Sequence, residues 1–204
     1  MSLLFLIIVK ANLQGKIKVS TTHALPGIIG EFVSLNPSKG SFSEKVKSNM
    51  SSVLQFLSKN EFPFMADVFP YYTYDNKRDS YELDTALLKP SAPVIKDGDV
   101  VYTNLFDAMV DTIYYAMKDM GYSNICIVVA ATGWPSFGTG VKGPIATIEN
   151  ARTYNNNLIK HVLSNKGTPM RPGKSPNQNP TYIEEQNLPK KVGDLDCRRA
   201  KKMA

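Results

Sequence analysis

The chain contains, at residues 125–131, the apolar run Ile125-Cys126-Ile127-Val128-Val129-Ala130-Ala131, followed directly by Thr132-Gly133-Trp134-Pro135-Ser136. Because the run is apolar at every position, both of its faces are expected to be buried, as in a strand of a parallel sheet. Two other runs of strand character precede it, at residues 16–21 and 63–69. Helical patterns separate the three runs, and this alternation predicts an α/β fold with a parallel sheet.

Three apolar stripes with helical spacing accompany these runs. The first follows Ser41-Phe42-Ser43-Glu44, which has the spacing of a capping box, and the second is expected to end at Gly121. The stripes consist of Phe42, Val46, Met50, Val53 and Leu57, then Leu105, Met109, Ile113, Met117 and Met120, then Ile148, Ala151, Tyr154, Leu158 and Val162. After Gly167 the sequence predicts no further strand, and residues 175–204 are expected to form an irregular basic tail.

Length and composition predict one globular domain. The 204 residues are 43% hydrophobic and 21% charged, which is enough apolar surface to form a core. Of the net charge of +6, +4 lies beyond Leu188, where six basic residues stand against two aspartates. No aromatic residue lies among these charges, so a solvated tail is favoured and no nucleic-acid partner is predicted.

Several further features carry no predicted site. Residues 1–10 are apolar but too short to span a membrane, and they lack the basic start and the cleavage site of a convincing signal peptide. Cys126 and Cys197 do not suggest a disulfide framework. His23 and His161 are isolated and are interpreted as ordinary surface or helix histidines. Neither a metal site nor a cofactor is predicted.

Five segments of the chain share order and spacing with a known family. They are residues 11–21 (Ala-Asn-Leu-Gln-Gly-Lys-Ile-Lys-Val-Ser-Thr), Phe69-Pro70-Tyr71-Tyr72, residues 102–111 (Tyr-Thr-Asn-Leu-Phe-Asp-Ala-Met-Val-Asp), Gly133-Trp134-Pro135-Ser136, and residues 149–159 (Glu-Asn-Ala-Arg-Thr-Tyr-Asn-Asn-Asn-Leu-Ile). Over roughly residues 11 to 183 the chain resembles the second half of plant endo-1,3-β-glucanases, family 17 of the glycoside hydrolases.

This resemblance implies a (β/α)₈ TIM barrel with its chemistry at the carboxyl ends of the strands. By family order the three runs correspond to strands five, six and seven, and Thr181-Tyr182-Ile183 to a remnant of strand eight. The expected architecture is therefore an incomplete barrel, with a partial domain at residues 11–174, an apolar stretch at residues 1–10 and the tail at residues 175–204.

The resemblance also implies retaining hydrolysis of β-1,3-glucan, which needs two carboxyl groups about 5 to 5.5 Å apart. The family's acid/base glutamate lies in a Gly-Asn-Glu motif, which occurs nowhere in this sequence. At the position of the nucleophilic glutamate stands Ala131. The chain is therefore expected to be inactive as a glycosidase.

Other positions of the expected cleft keep residues suited to sugar binding. Asp67 occupies the place of a family asparagine that lines the cleft. The aromatic residues Phe69, Tyr71, Tyr72 and Trp134 are predicted to stack against sugar rings. Trp134 has an equally weighted alternative role, as a packed anchor of the loop after the last strand.

Three hypotheses about the function remain open at this point. The first is a glucanase-like chain without activity, and the second is a non-catalytic β-glucan-binding module. The third is an interaction protein that uses its basic tail. The expected partner is a β-1,3-glucan oligosaccharide or polysaccharide, and the open sheet edges predict self-association. Family members are secreted, cell-wall or vacuolar, but the location of this chain stays open.

Overall fold

The computed structural model describes residues 2–13, 16–30, 36–140 and 143–173. The helices are α1 (Ser2–Lys10), α2 (Leu25–Ile28), α3 (Glu44–Asn60), α4 (Pro70–Asn76), α5 (Leu83–Ala86), α6 (Leu105–Asp119) and α7 (Ile148–Leu163), with a 3₁₀ turn at Pro37–Lys39. The strands are β1 (Thr22–Ala24), β2 (Phe64–Asp67), β3 (Ile95–Asp97), β4 (Val100–Tyr102), β5 (Ile127–Ala131), β6 (Gly167–Thr168) and β7 (Arg171–Pro172).

A three-stranded parallel sheet in the order β1-β2-β5 forms the centre of the fold. Met65 pairs with Thr22 on one side and with Val128 on the other. The register between β2 and β5 shifts after Ala66, so that Asp67 lies opposite Ala131. The predicted parallel α/β arrangement is confirmed, and the runs at residues 63–69 and 125–131 both contain strands.

The first strand lies later in the sequence than predicted. Pairing begins at Thr22 and not within residues 16–21. Continuing the register backwards from Thr22 and Met65 brings Ser20 beside Pro63, which has no N–H group for a sheet ladder. The Ser20 hydroxyl instead donates to the carbonyl oxygen of Pro63 at 2.7 Å.

The predicted capping box before α3 is wrong. The helix begins at Glu44 with Ser43 as its N-cap, and the Ser43 side chain makes no capping hydrogen bond. Phe42 lies before the helix, because Phe42 and Ile29 form an antiparallel bridge. That bridge engages the backbone of Ser41 and Ser43, so helical geometry starts only after them. The stripe is correspondingly shifted, and its fully buried members are Met50, Leu54 and Leu57.

Helices α6 and α7 match the predicted patterns more closely. In α6 the stripe from Leu105 to Met117 is buried, Asn104 caps the first turn, and Gly121 follows the helix with φ of 85°. In α7 the predicted Ile148 is wrong as a core residue, since it is 67% exposed. It is the first residue of the helix, and the buried face begins only one turn later, at Ala151.

Two antiparallel hairpins were not predicted. Strands β3 and β4 are joined by the two-residue turn Gly98-Asp99, in which Gly98 has φ of 60°. A Gly-Asp pair between two short runs is a sequence signal that would have indicated this turn. The expectation that no strand follows Gly167 is wrong, because β6 and β7 form a short hairpin. Pro169 and Pro172 disfavour a strand by sequence propensity. The hairpin is instead held by contacts with α6, including a hydrogen bond from Met170 to Asp111.

The apolar residues 2–10 form helix α1, which docks through Phe5. Its ring contacts Phe56 and Phe62 edge-on, at centroid distances of 5.4 and 5.8 Å. In the described part of the chain, no helix combines the length and apolarity needed to cross a membrane. The predicted strand-eight remnant at residues 181–183 and the tail at residues 175–204 lie outside the described residues.

Candidate functional site

The carboxyl ends of β1, β2 and β5 meet at one edge of the sheet, where parallel α/β folds place their ligands. Ala24, Asp67 and Ala131 are register partners in one row across this edge. Asp67 is the one carboxylate in that row. The sequence-predicted Asp67 and Ala131 are therefore brought together as neighbours.

Ala131 is the last residue of β5, and hydrogen bonds hold the chain on both sides of it. Its carbonyl oxygen accepts from the N–H of Val68 at 2.9 Å. Directly after it, the Thr132 hydroxyl and the buried Tyr154 hydroxyl share a hydrogen bond of 2.6 Å. The strand end is thus held from both sides, and the side chain that it presents there is a methyl group.

Asp67 is half-buried, and its Oδ1 atom is shielded from solvent with no hydrogen-bond partner among the described residues. Burial raises the pKa of this carboxyl group, and the nearby His23 lowers it again in part. A buried carboxylate oxygen without a partner carries a free-energy cost that a hydroxyl donor would relieve.

The sequence suggested that His23 is an isolated surface histidine, but in the fold it has specific contacts. Its ring stacks on Phe64 at 5.0 Å, and its Nε2 atom lies 2.8 Å from the Thr21 hydroxyl. Burial lowers the pKa of His23, and Asp67 opposes that shift. The histidine and the aspartate therefore influence each other at the same sheet edge.

Trp134 is a packed side chain. It is 6% exposed, and its Nε1 atom donates to the carbonyl oxygen of Ile145 at 2.9 Å. Tyr71 contacts its ring edge-on at 5.2 Å, and Tyr154 lies at 5.8 Å on another side. The geometry matches the alternative role from the sequence, an anchor of the loop after β5.

Of the aromatic residues predicted to stack on sugar, Tyr72 is the exposed one. Tyr71 is 8% exposed, whereas its neighbour Tyr72 is 58% exposed. Phe69 is half-buried and contacts the Tyr72 ring at 5.8 Å. Phe137, which sequence reasoning did not select, is 94% exposed in the loop after β5.

A second polar cluster lies along α6. Asp107 Oδ1 lies 2.8 Å from His161 Nε2 of α7, and Asp107 Oδ2 accepts from Asn104 at 2.8 Å. One turn further along, Asp111 Oδ2 accepts from the backbone N–H of Met170 in the β6–β7 hairpin at 2.9 Å. These contacts fasten two later segments to α6.

Asp111 is fully buried, and burial raises the pKa of its carboxyl group to about 7. The hydroxyl of Thr168 and the N–H of Met170 oppose that shift, while Asp107 adds to it. The Tyr102 hydroxyl faces the same carboxyl group, and the pKa of Tyr102 is raised by burial and further by the charge of Asp111. This cluster is distant in sequence from every residue predicted to contact sugar.

The sequence matches the family described as glycosyl hydrolases family 17 over residues 1–183. Glucan endo-1,3-beta-glucosidase 13 of Arabidopsis thaliana is 41% identical over 169 residues, which are 82% of this chain and 33% of that relative. A glucan endo-1,3-beta-glucosidase of Vitis vinifera is 43% identical over 166 residues, or 81% of this chain and 46% of the relative. The chain thus spans between a third and a half of the length of these two relatives.

Solved structures that are similar to this chain are also plant beta-glucanases. CJP38, a beta-1,3-glucanase and allergen of Cryptomeria japonica pollen, is similar with a TM-score of 0.75 and 56% identity, covering 82% of this chain and 50% of that one. A plant beta-glucan endohydrolase is similar with a TM-score of 0.72 and 41% identity. This likeness supports the TIM barrel class, to which the parallel order β1-β2-β5 conforms. The numbering of these strands as five to seven stays a prediction.

Proposed function

Because the chain belongs to glycosyl hydrolase family 17, we propose that its strand ends contact β-1,3-glucan but do not hydrolyse it. The observation that carries the loss of hydrolysis is Ala131, which ends β5 at the carboxyl edge of the sheet, opposite Asp67. The resemblance implies the catalytic nucleophile at this position.

The chemistry of retaining hydrolysis explains why an alanine there is decisive. One carboxyl group protonates the leaving oxygen, and a carboxylate attacks the anomeric carbon to form a covalent intermediate. A methyl group has no lone pair for that attack and no charge to balance the oxocarbenium-like transition state. Removal of such a group lowers the rate by several orders of magnitude.

Asp67 is a poor substitute for the missing nucleophile. It belongs to the neighbouring strand, so its carboxyl group approaches a substrate from a different direction than a side chain at position 131. Burial raises its pKa, which works against the ionised form that a nucleophile needs. A polar contact to a sugar hydroxyl suits this carboxyl group better.

The test of lost hydrolysis is a reducing-sugar assay on laminarin with the purified chain, Ala131→Glu and the matched control Ala131→Gln. We expect no product above the blank from any of the three. The Glu variant is expected to stay inactive because Gly-Asn-Glu, which carries the family's acid/base, is absent from the 204 residues. Hydrolysis by the unmodified chain would overturn the proposal. Hydrolysis by the Glu variant alone would show that position 131 is the sole catalytic defect.

Retained glucan binding is the second part of the proposal, and two observations favour it. Tyr72 presents an exposed ring at the start of α4, and Asp67 Oδ1 has no hydrogen-bond partner among the described residues. Apolar sugar faces stack on aromatic rings, and sugar hydroxyls donate to carboxylates.

Calorimetry with laminarihexaose tests this binding. We expect a measurable heat with the unmodified chain, a weaker affinity for Tyr72→Ala, and an affinity close to the original for Tyr72→Phe, which keeps the ring. Absence of heat at high ligand concentration would reject the binding module and favour the inactive glucanase-like chain.

A further inference from the structure

We propose that Phe137 stacks against a glucose ring of β-1,3-glucan and extends the binding surface beyond Tyr72 and Asp67. This inference rests on the glucan binding proposed above. Phe137 is 94% exposed, a larger fraction than for any other large apolar side chain in the described residues. An aromatic ring left in water at a sheet edge that receives ligands is suited to an apolar sugar face.

Phe137 lies at the same edge of the sheet as the proposed glucan-binding residues. It lies six positions after Ala131, in the loop that leaves the carboxyl end of β5. Tyr72 lies in α4, which begins three residues after the carboxyl end of β2. Two exposed aromatic rings therefore arise from the same edge of the sheet, from segments that follow neighbouring strands.

The backbone that carries Phe137 is fixed by several contacts. Phe137 and Thr147 form an antiparallel bridge, and the Thr147 hydroxyl caps α7 by accepting from the N–H of Asn150 at 3.1 Å. The carbonyl oxygen of Ile145 receives both Trp134 Nε1 and Asn150 Nδ2, each at 2.9 Å. A ring on such a backbone loses less conformational entropy on binding than one on an untethered loop.

The surroundings of Phe137 favour a saccharide over a protein surface. Its neighbours Ser136 and Thr139 are polar and exposed, and Gly138 offers no side chain. Protein interfaces are centred on a contiguous apolar core, whereas sugar sites combine single aromatic rings with polar groups. Contact with a second copy of the chain is the competing explanation, and the experiment separates it.

The experiment compares the unmodified chain with Phe137→Ala, Phe137→Tyr and the control Ile148→Ala, which removes an apolar side chain that is 67% exposed. Laminarihexaose affinity is measured by calorimetry, and oligomeric state by sedimentation velocity. We expect Phe137→Ala to weaken binding about five- to tenfold, as loss of an aromatic stacking contact does. Phe137→Tyr and Ile148→Ala are expected to stay within about twofold, since neither removes the stacking ring.

The outcomes distinguish the two proposals. If the unmodified chain does not bind laminarihexaose, both the glucan binding and the role of Phe137 are rejected. If it binds and Phe137→Ala binds equally well, the role of Phe137 alone is rejected. If Phe137→Ala leaves affinity unchanged but converts a dimer into a monomer, Phe137 is a contact between copies of the chain.

Discussion

Asp111 and Asp67 show how differently two regions of the molecule treat a buried carboxyl group. Around Asp111, α6 and the β6–β7 hairpin close over the side chain, and Met170 donates a hydrogen bond to it. Around Asp67, at the sheet edge, the described residues offer no donor to Oδ1. Oδ1 of Asp111 lacks a partner among the described residues as well, so the difference between the two regions is enclosure. Asp111 is fully buried and accepts a hydrogen bond through Oδ2, whereas Asp67 is half-buried at a sheet edge that a ligand can approach.

The aromatic residues divide in the same way, and this gives the largest expected effect. Trp134→Ala removes a buried ring and its hydrogen bond to Ile145 and is expected to lower the free energy of unfolding by about 3–5 kcal/mol. Tyr72→Ala removes an exposed ring and is expected to change it by less than about 0.5 kcal/mol. Urea unfolding at pH 7 measures both. Equal losses would contradict the assignment of Trp134 to packing and of Tyr72 to the surface.

The two aspartates give the next largest effect, through pH. In the folded chain the pKa of Asp111 is raised from 3.8 to about 7, so the folded state holds a proton that the unfolded state releases. Stability therefore falls as pH rises from about 4 to about 7, by about 4 kcal/mol in total, and stays lowered above that range.

Asp111→Asn is expected to remove this fall, because the amide is neutral at every pH and its oxygen still accepts from Met170. Asp67→Asn is the matched variant, and a smaller change in the same direction is expected because Asp67 is less buried. Unfolding free energies of both variants from pH 4 to pH 8 decide the point. A wild-type curve parallel to that of Asp111→Asn would contradict the raised pKa.

The two histidines give the smallest of these differences. His161→Ala breaks the contact with Asp107 between α7 and α6, and the expected loss of unfolding free energy is about 1–2 kcal/mol. His23→Ala loses its stacking on Phe64 and a contact with the exposed Thr21 hydroxyl, and a loss below about 1 kcal/mol is expected. A double-mutant cycle with Asp107→Asn should show coupling for His161 and none for His23.

Sequence patterns predicted the elements whose own residues determine them. Strand β5 and helix α6 carry unbroken apolar patterns, and both were located within two residues of their observed limits. The strand β1 was misplaced because the pairing partner of residues 16–21 is interrupted by Pro63, 43 positions away from Ser20. The β6–β7 hairpin was missed because Asp111, not local propensity, fixes Met170.

The sequence indicated which residues lie near the strand ends, but not which of their side chains are exposed. The sequence placed Asp67, Tyr71 and Trp134 near Ala131, and the fold brings them to the same end of the sheet. It could not show that Tyr71 faces the interior while Tyr72 faces solvent, since adjacent helical residues point about 100° apart and only the packing of α4 decides which is buried. Phe137 carried no motif and became visible only through its exposure.

The register shift after Ala66 has a practical consequence for engineering. In an unbroken ladder Asp67 would lie opposite Ala130, and the shift gives that place to Ala131. A bulge of this kind changes which side chain a strand end aims at a given point. A new functional group intended to lie beside Asp67 must therefore be introduced at position 131. At position 130 it would replace Ala130, which has no register partner in β2. The one extra residue in β5 thus determines which position must be substituted to place a new side chain next to Asp67.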